Sequence, residues 1–190
     1  MIETVTAPTV EPITLADAKL HLRVDGTTED AYITALITAA RQAADHEAQR
    51  SFAARTLRLR ALSFDRLELS RGPVNAITHV RYIDPAGVQQ TVPAQSYYLD
   101  RSGLVPVVRL AVGASWPTTA SRADVVEVQY TAGTWNVAAG VDTPRSALQY
   151  MLLLIGSMYE HREADADRAV ARMPWVAALL DPDRIPGHMT

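Results

Sequence analysis

The sequence predicts an α+β protein: a helical frame, made of N-terminal helices and a long apolar C-terminal helix, with an inserted antiparallel β subdomain and an extended C-terminal arm. Apolar residues recur at helical spacing in the first 55 residues and again from residue 142. Between these two regions they alternate with polar residues in many short runs. Short runs separated by turn residues favour an antiparallel sheet or small barrel over a βαβ fold.

The N-terminal region contains two predicted helices. Thr14-Leu-Ala-Asp17 resembles a capping box and predicts a short helix that ends near Val24. Thr28 and the two acids after it begin a longer amphipathic helix, which extends to about Ser51. The apolar stripe of that helix comprises Ile33, Leu36, Ile37, Ala40 and Ala44.

The β insertion begins where the hydrophobic period changes to two. Leu57 and Leu59 alternate with Arg58 and Arg60, which predicts a strand with one buried face. Asp84-Pro-Ala-Gly87 fits a type I turn. Further strands are predicted at 66–70, 76–83, 88–92, 97–100, 105–110 and 125–131.

The C-terminal region is predicted to be helical from 145 to 161, with an apolar stripe wide enough for a central core element. Asp142-Thr-Pro144 is a candidate start for this helix. Prolines and a glycine in the last ten residues predict an extended arm. We therefore divide one composite domain into N-terminal helices (1–55), a β-rich insertion (56–141), C-terminal helices (142–180) and the arm (181–190).

Composition narrows the function classes. The chain of 190 residues contains no cysteine, which excludes disulfides, thiolate nucleophiles and Cys-ligated metal sites. Its net charge of −3 argues against a generally basic surface for nucleic acid. The longest apolar run, 151–155, is far shorter than a membrane helix, and the first residues do not resemble a secretory leader, so we expect a soluble cytoplasmic product.

Catalytic motifs are not evident. The sequence has no Gly-x-Ser-x-Gly elbow and no phosphate-binding loop, and its five histidines are scattered. The acidic run from Glu160 to Asp167 could hold a cation, but a solvated helix end explains it better. We expect no cofactor, no metal and no enzymatic activity. A hydrolase with an unrecognised site is the third-ranked hypothesis.

Two sets of residues allow more than one interpretation. The arginines between Arg55 and Arg71 form either the polar side of a half-buried strand, a contact with acidic residues of a neighbouring subunit, or a DNA-binding face. Each of the three tryptophans, Trp116, Trp135 and Trp175, is close to turn residues and either fills the core or anchors an interface.

Two strings of sequence resemble a known family. These are Ile13-Thr-Leu-Ala-Asp-Ala-Lys-Leu-His-Leu-Arg-Val-Asp25 and Pro144-Arg-Ser-Ala-Leu-Gln-Tyr-Met-Leu-Leu-Leu-Ile-Gly-Ser-Met-Tyr-Glu-His-Arg-Glu163. Between them lie Gly113-Ala-Ser-Trp-Pro117 and Val126-Glu-Val-Gln-Tyr-Thr-Ala-Gly133. Together they resemble the head–tail connector (adaptor, or head-completion) proteins of long-tailed phages and gene transfer agents, the gp6-like and phiE125 gp8-like group.

The resemblance implies a structural virion protein without catalysis. Such proteins form a dodecameric ring beneath the portal and link the DNA-filled head to the stopper or tail. The implied location is the head–tail interface of the virion, after synthesis in the bacterial host cytoplasm. The implied partners are the portal protein, a stopper or tail-completion protein and further copies of the chain. DNA would pass through the channel without sequence-specific binding, and no membrane is involved.

Two groups of candidate contact residues follow from this hypothesis, and a DNA-binding accessory protein that uses the Arg55–Arg71 face is the alternative. The portal-binding candidates are Trp175, Leu179, Leu180, Arg184, Ile185, Pro186, His188 and Met189. The subunit–subunit candidates are Arg55, Arg58, Arg60, Trp116 and Trp135.

Overall fold

The computed structural model describes residues 1–134, 142–161 and 174–185. The chain divides into two compact units. The sheet unit comprises Met1–Pro8 and Ala54–Gly133, and the helical unit comprises Thr9–Ala53 and Thr134–Thr190. The mixed α+β fold class is therefore confirmed.

The helical unit contains α1 (Leu15–Leu22), α2 (Asp30–Ala48), α3 (Arg145–Glu160) and a short α4 (Pro174–Ala178). Helix α1 begins as the sequence predicts, because the Thr14 hydroxyl accepts a hydrogen bond from the Asp17 backbone N–H at 3.1 Å. Helices α2 and α3 pack through their apolar stripes. The buried residues of these stripes include Ile33, Ile37, Ala40, Ala44, Ala147, Met151, Leu154 and Ile155.

The sheet unit contains a five-stranded antiparallel sheet in the order β1-β2-β7-β3-β4 and a separate hairpin, β5-β6. The strands are β1 (Ile2–Thr6), β2 (Arg55–Ala61), β3 (Val74–Ile83), β4 (Gln89–Thr91), β5 (Tyr97–Asp100), β6 (Val107–Leu110) and β7 (Val126–Ala132). One side of the sheet is apolar. Its buried residues include Leu57, Leu59, Val80, Val126, Val128 and Tyr130.

One predicted strand is wrong, and one observed strand was not predicted. The segment 66–70 is not a ladder strand and makes a single bridge, Glu68 to Val107. The segment that faces it contains Pro106, which has no backbone N–H to donate and so cannot extend the pairing. Strand β1 was not expected, and it pairs with β2, so that residues 1–8 belong with the insertion and not with the N-terminal helices.

The predicted arm also differs from expectation where the structure describes it. Residues Asp181–Asp183 form a turn of 3₁₀ helix with Pro182 near its start, and they are not extended. Proline favours the first turn of a helix, where its missing N–H is not needed. The remaining residues of the arm, 186–190, lie outside the described part of the chain.

Hydrogen bonds join the two positions at which the chain leaves and re-enters the helical unit. The Phe52 carbonyl accepts hydrogen bonds from the hydroxyls of Thr143, at 3.0 Å, and Thr134, at 3.3 Å. The Thr134 N–H donates to the Ser51 carbonyl at 3.0 Å. Because these groups are buried, their mutual hydrogen bonds are needed to offset the loss of water.

Candidate functional site

The candidate residues of the C-terminal segment are divided between surface and core. Trp175 is 59% exposed, an unusual exposure for a large aromatic side chain. Leu180 is fully buried in the helical core, and Leu179 is partly buried against it. Leu180 therefore stabilises the helical unit and is not a surface contact in this conformation, in contrast to the expectation from the sequence.

Polar contacts hold the end of this segment against the helical unit. Asp183 accepts hydrogen bonds from Arg50 at 3.3 Å and from the Ser146 hydroxyl at 3.2 Å. The Ile185 N–H donates to the Ala48 carbonyl at 3.0 Å, and Arg184 pairs with a carboxylate of α2. The candidates Pro186, His188 and Met189 lie beyond the described residues.

The arginines of β2 lie on the polar side of the sheet and are paired with acids. Arg58 contacts Glu3 at 3.0 Å and Glu127 at 3.3 Å, and Arg60 contacts Glu3 at 3.3 Å. Arg55 is half-buried at the start of the strand. Carboxylates of two neighbouring strands thus compensate much of the positive charge that the sequence places on this face.

Trp116 belongs to the core of the sheet unit. Its ring stacks on Phe64 with centroids 4.5 Å apart and an interplanar angle of 5°, and Phe64 in turn contacts Tyr82 edge-on. This packing favours the core interpretation of Trp116 over the subunit contact predicted from the sequence. Trp135 lies outside the described part of the chain.

Two further arginines on the polar face were not singled out from the sequence. Arg81 of β3 and Arg122 of the loop before β7 line a cleft of about 170 Å³ together with Arg60. The alternation of polar and apolar residues in β3 could have identified Arg81. Arg122 could not have been found in this way, because its loop has no periodicity.

A larger groove of about 480 Å³ lies in the helical unit, between α1 and α3. Leu20, Leu148 and Leu152 contribute apolar surface to it, while Asp17 and Arg145 contribute charge. Leu20 is 80% exposed although it lies in a helix.

The described residues also bear on metal binding and on membrane spanning. Residues 1–134, 142–161 and 174–185 contain no group of three or more His, Asp or Glu side chains arranged to hold a metal ion. None of the helices in these ranges has the length and apolar character needed to cross a membrane.

Comparisons with known proteins agree with this arrangement. The family model for phage gp6-like head-tail connector protein matches residues 12–84. No curated protein matches the sequence.

Solved structures are similar over the whole chain. The neck of an empty gene transfer agent (GTA) particle, computed with C6 symmetry, contains a chain of 27% identity with a TM-score of 0.80. In the neck of a native GTA particle, computed with C12 symmetry, the similar chain has 27% identity and a TM-score of 0.77. In the virion of a native GTA particle the identity is 28% and the TM-score is 0.76. Each match covers 100% of this chain and 97% of the other.

The fold described above is thus similar to that of a structural head–tail connector. The resemblance found in the sequence is confirmed: residues 12–84 carry the phage gp6-like head–tail connector pattern, and the whole chain is similar to a protein of the GTA neck. The expected location at the head–tail interface of a virion is confirmed with it. The family is one of structural neck proteins and is not an enzyme class.

Proposed function

We propose that twelve copies of this chain form a ring that docks beneath the portal and extends the DNA channel toward a stopper or tail-completion protein. The observation that carries the proposal is the whole-chain similarity to a neck protein at a TM-score of 0.80. The C12 symmetry used for a similar neck supports the number of copies. A closed ring needs two different, complementary surfaces on each copy.

The C-terminal segment is the proposed portal contact. Trp175 has the exposure and the size of an interface anchor, and it lies on α4, which Val176 and Leu180 attach to the helical core. A rigidly presented aromatic side chain loses little conformational entropy on binding. The proposed contact therefore consists of Trp175, the exposed Arg184 and the residues after Ile185.

Duplex DNA is expected to pass without sequence-specific binding. The net charge of the chain is −3, and Arg58, Arg60 and Arg66 are each paired with a carboxylate. Paired arginines release few counterions from DNA, so their contribution to binding is small. This pairing weighs against the alternative function as a DNA-binding accessory protein.

The test is to mix the purified chain with the portal protein encoded by the same genome and to measure the mass of the complex. We expect a stable particle with one chain for each portal subunit. Trp175→Ala is expected to weaken the complex at least about tenfold, because exposed aromatic anchors contribute about 2 kcal/mol or more. Tyr98→Ala is the matched control, since Tyr98 is also an exposed aromatic, 51% accessible, but lies in the sheet unit.

A truncation gives a second test of the contact. Removal of residues 186–190 preserves the contacts of Asp183 with Arg50 and Ser146, so the helical unit keeps these anchors. Loss of portal binding in this variant would place part of the contact in the last five residues. If the full-length chain and portal remain separate at concentrations well above micromolar, the proposed docking is wrong.

A further inference from the structure

The cleft on the polar face of the sheet unit is rich in arginine. It lies where the ends of β2 and β3 approach the loop before β7, and these three elements contribute Arg60, Arg81 and Arg122 respectively. Asp124 and Glu127 also line the cleft. Arginines from three separate elements thus line one volume of about 170 Å³.

Glu127, one of the two acids that line the cleft, is engaged by other side chains. Glu127 uses one carboxylate oxygen for Arg58, at 3.3 Å, and the other for His79, at 3.4 Å. Glu3 accepts hydrogen bonds from both Arg58 and Arg60. The lining of the cleft itself has three arginines and two acids, Asp124 and Glu127, a net charge of +1.

Arg81 and Arg122 have no ion-pair partner among the described residues. The loop that carries Arg122 is nevertheless fixed, because the Ala120 N–H donates to the Ile83 carbonyl at 2.9 Å and the Ile83 N–H donates to the Val125 carbonyl at 2.9 Å. Two guanidiniums that make no ion pair with the described residues, on a fixed frame, are available to bind carboxylate or phosphate oxygens.

The charges of the two units indicate that the cleft binds carboxylate oxygens and not phosphate oxygens. The sheet unit has nine arginines against seven acidic residues, a net charge of +2. The helical unit has nine basic against fourteen acidic residues, a net charge of −5. A ring of identical copies closes by contact between two different surfaces of the chain, and opposite charges on those surfaces favour and orient that contact.

We infer that the Arg81–Arg122 cleft binds carboxylates on the helical unit of a second copy of this chain and thereby forms part of the contact between neighbouring subunits. The inference rests on the ring of the proposed function. Several carboxylates are available for this role. Asp25, Asp142 and Glu160 of the helical unit are exposed and make no ion pair with another described residue.

A photocrosslink identifies the occupant of the cleft. Because the chain has no cysteine, Ser121→Cys introduces a single thiol beside the cleft, which can carry a benzophenone label. The labelled full-length chain is irradiated alone at high concentration and again in the portal mixture, and the crosslinked peptides are identified. Crosslinks to the helical unit of another copy, in either sample, support the inference. Crosslinks only to the portal, only to the sheet unit of another copy, or none at all, overturn it.

Charge reversal supplies the quantitative test. R81E/R122E is expected to reduce the yield of the intersubunit crosslink at least about tenfold at about 50 mM salt, and salt of about 0.5 M is expected to reduce the wild-type yield as well. R66E/R109E is the matched control: it makes the same charge change in the sheet unit, at arginines already paired with Glu68 and Asp100. Equal yields from R81E/R122E and the control would overturn the inference.

Further outcomes distinguish this inference from DNA binding by the cleft and from the proposed portal docking. A duplex DNA gel shift that R81E/R122E abolishes, with the crosslink to a second copy unchanged, would assign the cleft to phosphate and overturn the inference. Portal binding with no crosslink between copies would overturn the inference about the cleft and leave the proposed portal docking unaffected. A crosslink between copies with no portal binding supports the inference and contradicts only the portal docking.

Discussion

The buried ion pair of α2 is predicted to be a principal determinant of the stability of the helical unit. Asp45 is 4% exposed, and its carboxylate accepts a hydrogen bond from Arg41 at 2.8 Å and another from the Phe52 N–H at 2.8 Å. Arg41 also donates to Glu11 at 2.6 Å. Burial by itself lowers the pKa of Arg41, but the hydrogen bonds and charges of Glu11 and Asp45 outweigh it and raise that pKa.

Asp45→Asn tests this ion pair with almost no change in side-chain volume. An amide has one acceptor oxygen, so its NH₂ group must face a donor, either Arg41 or the Phe52 N–H. Breaking a buried ion pair costs about 3–5 kcal/mol. Glu11 still neutralises Arg41, and we therefore expect the free energy of unfolding of the helical unit to fall by about 2–4 kcal/mol.

Urea unfolding followed by far-UV circular dichroism measures this change, because the described α-helices lie in the helical unit. Glu47→Gln is the control. Glu47 pairs with Arg184, but the two side chains are 40% and 39% exposed, so the expected cost is about 0–1 kcal/mol. If the two variants unfold within about 1 kcal/mol of each other, the argument from burial is refuted.

Two further predictions concern the sheet unit. Gly87 closes the Asp84 turn with φ +82° and has open space where a Cβ would lie. Gly87→Ala should therefore lower the free energy of unfolding by about 1 kcal/mol through backbone strain alone. Thermal unfolding measures this change, and an unchanged melting temperature would contradict the prediction. Hydrogen bonds from Ser102, with a smaller contribution from Arg109, lower the pKa of Asp100 to about 2. Since the pKa is lowered in the folded state, the associated stability is present above pH ~4 and disappears as the pH falls toward 2. An NMR titration should give this low midpoint, and Arg109→Ala should preserve most of the shift; a midpoint near 4 in the wild type would show that the Ser102 contacts do not persist in solution.

Sequence patterns alone were enough to predict most of the helices and strands and the family resemblance. The 3.6-residue period of α2 and α3 and the two-residue period of β2 each identify an element, because periodicity reports which side of an element is buried. Thr14 specified the start of α1, since its hydroxyl can satisfy an otherwise unpaired N–H of the first turn. The strings at 13–25 and 144–163 were sufficient to identify the resemblance to head–tail connectors.

Long-range packing sets which elements share a unit and which charges remain available. Strand β1 is separated from β2 by two helices in the sequence, and its membership of the sheet depends on long-range pairing that no local pattern encodes. The burial of Leu180 likewise depends on α4 packing against the helical core.

Pairing between distant strands also decides which arginines of the polar face are neutralised. Arg58 and Arg81 look equivalent in an alternating strand, but Glu3 and Glu127 reach the first and leave the second without an ion pair among the described residues. Which arginine is neutralised depends on strand order and register, and both arise from pairing between residues far apart in the chain.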